Sequence, residues 1–193
     1  LSLSASLLVN VPPVVSGTVP GLTMLTDNNL GTASFYIRVT YNEARNLGKI
    51  IADSGRVGIY AGLIHNSGTV SASSAVAEGG RILLKATQGI TLKASSTLSA
   101  SGVGGGEIKM LAGESVQVAG KLDASAPSGG NGGFIETSAG KVTIAAETFI
   151  TTAAPFGKSG TWLIDPTNFT IAAGAAAQTP SGIGAATLSS NLD

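Results

Sequence analysis

A chain of 193 residues is long enough for one domain with a buried core, and its 11 basic and 11 acidic residues cancel. That neutral balance gives no electrostatic reason to bind nucleic acid or an anionic membrane. Cysteine is absent, which excludes a disulfide framework, a cysteine-based zinc site and thiol catalysis. No run approaches the roughly 18 apolar residues of a membrane-spanning helix, so membrane insertion is not expected.

Taken in order, Leu1–Val11 alternates apolar and polar residues up to Pro12-Pro13, which halts any strand ladder. It reads as part of a first, incomplete coil. Leu1 follows no initiator Met or basic leader, and the chain reads as an excised piece of something longer. Val14–Leu30 carries Gly17, Pro20, Gly21 and Asp27-Asn28-Asn29 and reads as an excursion across one end or flank. Ser34–Thr40 is rich in β-formers and predicts a strand; polar Tyr41–Leu47 suggests a short helical turn. Regular winding is expected from Gly48, with Ile50-Ile51-Ala52, Arg56–Tyr60 and Thr69-Val70-Ser71 forming one coil. The 33 residues from Val57 to Ile90 (90−57) make that coil longer than those after it. The expected organisation is thus 1–47 (incomplete first coil and an irregular excursion with one strand pair), 48–171 (regular coils) and 172–193, an Ala/Gly/Ser-rich last coil or tail.

The stretch from Arg81 to Ile171 repeats itself. Gly79-Gly80-Arg81-Ile82-Leu83-Leu84 is echoed by Gly105-Gly106-Glu107-Ile108-Lys109-Met110 and Gly132-Gly133-Phe134-Ile135-Glu136-Thr137. A looser copy is Ser159-Gly160-Thr161-Trp162-Leu163-Ile164. Ile82, Ile108, Ile135 and Trp162 follow one another at 26, 27 and 27 residues (108−82, 135−108, 162−135). Behind each copy comes an apolar pair, Ile90/Leu92, Val116/Val118, Val142/Ile144 and Phe169/Ile171, and then a third short run near Leu98, Leu122 and Ile150. Such a period, built from short alternating strands, is that of a solenoid. One turn buries too little to fold alone, so each strand must pair with its equivalent one period away. Because the chain completes a circuit between them, those partners run parallel. The expected fold is all-β, a parallel β-helix with three short strands per coil and 26–27 residues per coil. The inward columns are Ile90-Val116-Val142-Phe169 and Leu92-Val118-Ile144-Ile171, and Thr91-Gln117-Thr143-Thr170 faces out. Asp165-Pro166-Thr167-Asn168 reads as a type I turn.

These repeats resemble the exoproteins of two-partner secretion, the filamentous-haemagglutinin-like adhesins. Gly132–Ser138 and Gly160–Ile171 carry the likeness most specifically. Ser6–Val11, Gly55–Gly62 and Leu122–Pro127 support it. The resemblance implies a right-handed β-helical shaft, export by an outer-membrane transporter barrel, a secreted or bacterial cell-surface location, and a role in adhesion toward a host or matrix receptor or glycan. The Asn-Pro-Asn motifs of that family's secretion module are missing, so transporter recognition is not expected to reside here. The family carries no catalytic residue onto these positions.

The residues themselves point to no enzyme, cofactor or metal site. His65 is the single histidine and reads as a loop residue, since zinc needs further ligands that cysteine cannot supply here. A serine triad would have to use it, and no Gly-x-Ser-x-Gly elbow exists. Gly157-Lys158-Ser159 mimics the end of a phosphate loop, but Thr152 stands where its first glycine belongs. Gly129–Gly133 lacks the Asp of calcium-binding nonapeptide repeats. Glu107, Glu136 and Asp165 sit at different offsets and should not stack into an acidic patch; the outward Thr column is broken by Gln117. Asn168-Phe169-Thr170 matches a glycosylation sequon, and a turn-exit Asn explains it as well. The expected function is that of an adhesive shaft segment. The alternatives are a carbohydrate-active β-helix enzyme and a module that binds a surface glycan through its groove.

Overall fold

The computed structural model describes residues 7–10, 34–38, 43–75, 79–167, 170–172, 174 and 182–190. Strand β1 (Leu7–Asn10) precedes a first rung of β2 (Ser34–Arg38), β3 (Glu43–Asn46) and β4 (Lys49–Ile51). Next come β5 (Arg56–Asn66) with β6 (Thr69–Ser71), and β7 (Arg81–Leu92) with β8 (Thr97–Ser99). The following rungs are β9 (Glu107–Ala112), β10 (Ser115–Val118) and β11 (Lys121–Asp123), then β12 (Phe134–Ala139), β13 (Lys141–Ile144) and β14 (Phe149–Thr151). Strand β15 (Thr161–Pro166) starts another rung, and β16 (Thr170–Ala172), β17 (Gly182–Gly184) and α1 (Ala185–Ser190) close the described chain.

Among the described residues every rung-to-rung pairing is parallel, with one register shift between Ala61 and Leu63 where β5 pairs with β7, so the chain is a parallel β-helix. Val116 lies opposite Ile90 on one side and Val142 on the other, and Val118 lies between Leu92 and Ile144. Ile82, Ile108, Ile135 and Trp162 form a second column, and Leu98, Leu122 and Ile150 a third. The third wall is a five-stranded sheet in the order β14-β11-β8-β6-β4. Alternation holds as the residues require: Ile90, Val116 and Val142 are fully buried, while Thr91, Gln117 and Thr143 face outward. Past the third strand the ladder continues through small inward residues, with Ala72 N–H donating to the Ser99 carbonyl and Ala100 N–H to that of Asp123. Alanine there lets the wall bend into the next corner without emptying the core.

Glycine shapes that corner. A Cβ on Gly133 would lie 2.0 Å from the Gly106 carbonyl oxygen, and one on Gly106 would lie 2.1 Å from that of Gly80. Successive rungs touch backbone to backbone at this place, which is why Gly-Gly recurs once per period.

Several expectations are corrected. Glu43–Asn46 is a strand and not a helical turn, paired parallel with Leu63–Asn66. Its inward Asn46 is satisfied by Asn66, whose Oδ1 accepts from Asn46 Nδ2 at 2.8 Å, so tertiary pairing overrides the segment's polarity. Winding starts before Gly48, because Ser34–Arg38 already pairs parallel with Arg56–Tyr60. Lys49–Ile51 and Thr69–Ser71 stack on each other and belong to successive coils. Val57 pairs with Ile82, and it is Ile64 that pairs with Ile90, so no long coil exists there. In those two coils the first and second strands fuse into continuous strands of 11 and 12 residues. Strand β1 is not a coil strand: it runs antiparallel to β3 and covers that edge. Pro166 ends a strand opposite Ala139, and the expected turn runs on into Asn168, outside the described residues. Ile171 pairs with Ile183 and is 56% exposed, so it does not extend the Leu92 column. Thr170 likewise pairs with Gly182. Phe169, Asn168 and the Val14–Leu30 excursion lie outside the described residues.

Candidate functional site

The outer face of the first wall carries a cluster of charged side chains. Its columns read Arg56-Arg81-Glu107-Phe134-Thr161 and, two residues on, Leu83-Lys109-Glu136-Leu163. Lys109 Nζ lies 2.7 Å from Glu107 and 3.7 Å from Glu136, and 5.5 Å above the Phe134 ring. Its hydrogen bond to Glu107, opposed by slight desolvation and joined by the charges of both carboxylates, holds its ammonium above the ordinary lysine value. The two acids thus occupy different columns, as their offsets require, yet converge on one lysine. Each is held by a cation, an arrangement unlike the free acid and base of a glycosidase. Asp165 lies opposite Ser138, one wall position further along.

A groove of about 960 Å³ follows the glycine corner beside this column. Gly55, Gly79, Gly105, Gly106, Gly132, Gly133 and Gly160 form its floor, where the absence of side chains leaves the wall recessed. Arg56, Arg81, Glu107 and Phe134, which follow the corner glycines in sequence, also line the groove, as do Asn131 and Lys158, which precede them. Gly157-Lys158-Ser159 is therefore a corner: Asn131 Oδ1 accepts from the Lys158 N–H at 3.0 Å. Gly130, at φ +67, turns the neighbouring Gly129–Gly133 corner. A second recess of about 580 Å³ lies at the bend after the first wall, between Lys85 and Asp165.

The third wall presents hydroxyls instead. Ser73 and Ser99 Oγ atoms lie 2.9 Å apart, and Ser125 Oγ donates to Asp123 Oδ1 at 2.6 Å. Burial works against charge on Asp123, but the Ser125 hydroxyl and N–H, followed by Lys121, outweigh it and hold the carboxyl below its ordinary range. A carboxylate with a depressed folded pKa stabilises the fold above its unfolded value. That contribution fades as pH falls from about 3.8 through the folded value. Asp123→Asn should therefore lower the melting temperature at pH 7 to 9, where the carboxylate contributes, and approach the parent in acid, which flattens the acid limb of the profile. An unaltered acid limb would count against the Ser125 and Lys121 contacts.

His65 is not a loop residue. It lies in β5 with Nε2 3.3 Å from Glu43 Oε1, and Arg45 also pairs with that carboxylate. Among the described residues, no group of three or more His, Asp or Glu side chains is arranged to hold a metal ion. Sequence reasoning missed Arg56 and Arg81. Both follow a corner glycine (Gly55, Gly80), and that shared offset was the available signal. No protein-family model, curated protein or solved structure matches the chain.

Proposed function

We propose that this chain is a shaft segment of a secreted, adhesive surface protein of the filamentous-haemagglutinin type, exported through a two-partner transporter barrel and carried at the bacterial cell surface. The observation that carries the reading is the parallel stacking of the core columns from Val57 to Trp162, in which each coil adds one rung of about 4.8 Å. A wall built this way converts chain length into reach, and its stability is a near-additive sum over neighbouring coils. The repeat wording of Gly132–Ser138 and Gly160–Ile171 supports the family, and a cysteine-free chain suits passage across a membrane unfolded.

Expression of the parent reading frame with its barrel partner tests this. The segment should become accessible to protease on intact cells and should increase cell retention on matrix- or glycan-coated surfaces. Retention of the segment inside the cell would reject the reading. So would turnover of polysaccharide by the purified chain.

A further inference from the structure

We propose that the glycine-floored groove binds a linear polyanionic glycan along the solenoid axis, with Arg56 and Arg81 gripping its acidic groups. The register places Arg56 directly opposite Arg81 on adjacent parallel strands. Like charges so placed repel, and a fold gains nothing from them. Both side chains are exposed. Neutralisation is incomplete: Glu107 approaches Arg81 at 3.7 Å but gives its closer contact, 2.7 Å, to Lys109. Among the described residues no carboxylate pairs with Arg56. With Lys158, three cations and one carboxylate line the groove in a chain whose overall charge is zero.

The shape argues for a polymer. The floor is backbone from successive rungs, so the groove runs along the axis for about 19 Å at roughly 4.8 Å per rung. That step is close to the length one pyranose ring adds to a linear glycan. Guanidinium groups match carboxylate or sulfate bidentately. Asn131 and the backbone along the groove supply partners for sugar hydroxyls. A nucleic acid would want a series of stacking aromatics, and Phe134 is the one aromatic among the groove's lining residues. The site does not depend on the shaft reading, because it concerns the groove and not export.

Affinity electrophoresis of the purified chain in gels containing polygalacturonate, dextran sulfate or neutral dextran tests the site. At least one acidic polymer should retard the protein, neutral dextran should not, and added salt should relieve the retardation. Whichever acidic polymer acts identifies carboxylate or sulfate as the recognised group. The Arg56→Gln/Arg81→Gln double variant should bind about tenfold more weakly. Its melting temperature should stay equal or rise, because a repulsive pair has been removed. The proposal is overturned if neither acidic polymer retards the chain, if dextran or an oligothymidylate does so equally, or if the double variant is retarded like the parent. A melting temperature several degrees lower would also overturn it, assigning the arginines to the fold. Binding accompanied by cleavage of polygalacturonate would keep the site and reject the shaft reading, so the two fail separately.

Discussion

Val142→Asp should abolish the cooperative melting transition or lower it by tens of degrees at neutral pH. Val142 is fully buried and sits opposite Val116 in the core column. A carboxylate there has no cation or hydrogen-bond donor, and an uncompensated buried charge costs on the order of 3–5 kcal/mol or more. That is a large share of a typical domain stability of about 5–15 kcal/mol. The site resists ionisation, so the folded pKa of the new carboxyl would be raised. Its penalty is full above that raised value and shrinks as pH falls below it, and the variant should recover part of its stability in acid. Thr143→Ala is the matched control. Thr143 faces outward between the same strands, and losing its hydroxyl should change stability by less than about 1 kcal/mol. Comparable losses from both substitutions would mean the inward and outward faces are reversed.

Gly133→Ala is expected to be nearly as damaging, for a steric reason. The added methyl would stand 2.0 Å from the Gly106 carbonyl oxygen and 2.7 Å from the Gly105 carbonyl carbon. Both are backbone atoms of the neighbouring rung, and the Phe134 N–H donates to that same Gly106 oxygen at 2.8 Å. Relief requires the rungs to separate, which breaks ladder bonds at the corner; a loss of about 3 kcal/mol or more is expected. Gly89→Ala should be tolerated within about 1 kcal/mol, since its nearest obstacle is the Ser115 hydroxyl at 3.2 Å, which can rotate away. Chemical denaturation of the two variants checks this. Equal, small losses would show that the glycine corner is a loose loop and not a contact between rungs.

The regular coils were legible because two independent periods coincide there. Alternation names the inward residue of each strand, and the spacing of Ile82, Ile108 and Ile135 says which strands are neighbours. Both signals fail in the first coil. Asn46 and Asn66 occupy inward positions, so the apolar pattern is interrupted where the amides pair with each other. The step from Ser34 to its partner Arg56 is also shorter than the later period, which hides the repeat. In the second and third coils the strands run on through Gly62 and Gly89, so glycine there marks no boundary, and spacing alone sets Val57 against Ile90 instead of Ile82. At the other end, Trp162 keeps its column, but Ile171 leaves it to pair with Ile183. An apolar pair at the right offset does not say whether a rung exists to receive it. The groove was harder still. A lone arginine after a glycine reads as solvated surface, and Arg56 acquires meaning only once the register sets it against Arg81.

Methyl–methyl nuclear Overhauser spectroscopy on protein labelled at Ile, Leu and Val reads the stacking without altering the chain. Val116 should show cross-peaks to both Ile90 and Val142, with none between Ile90 and Val142, which stand two rungs or about 9.6 Å apart. Silence between Val116 and both neighbours would leave the coil, and the groove that runs along it, without foundation.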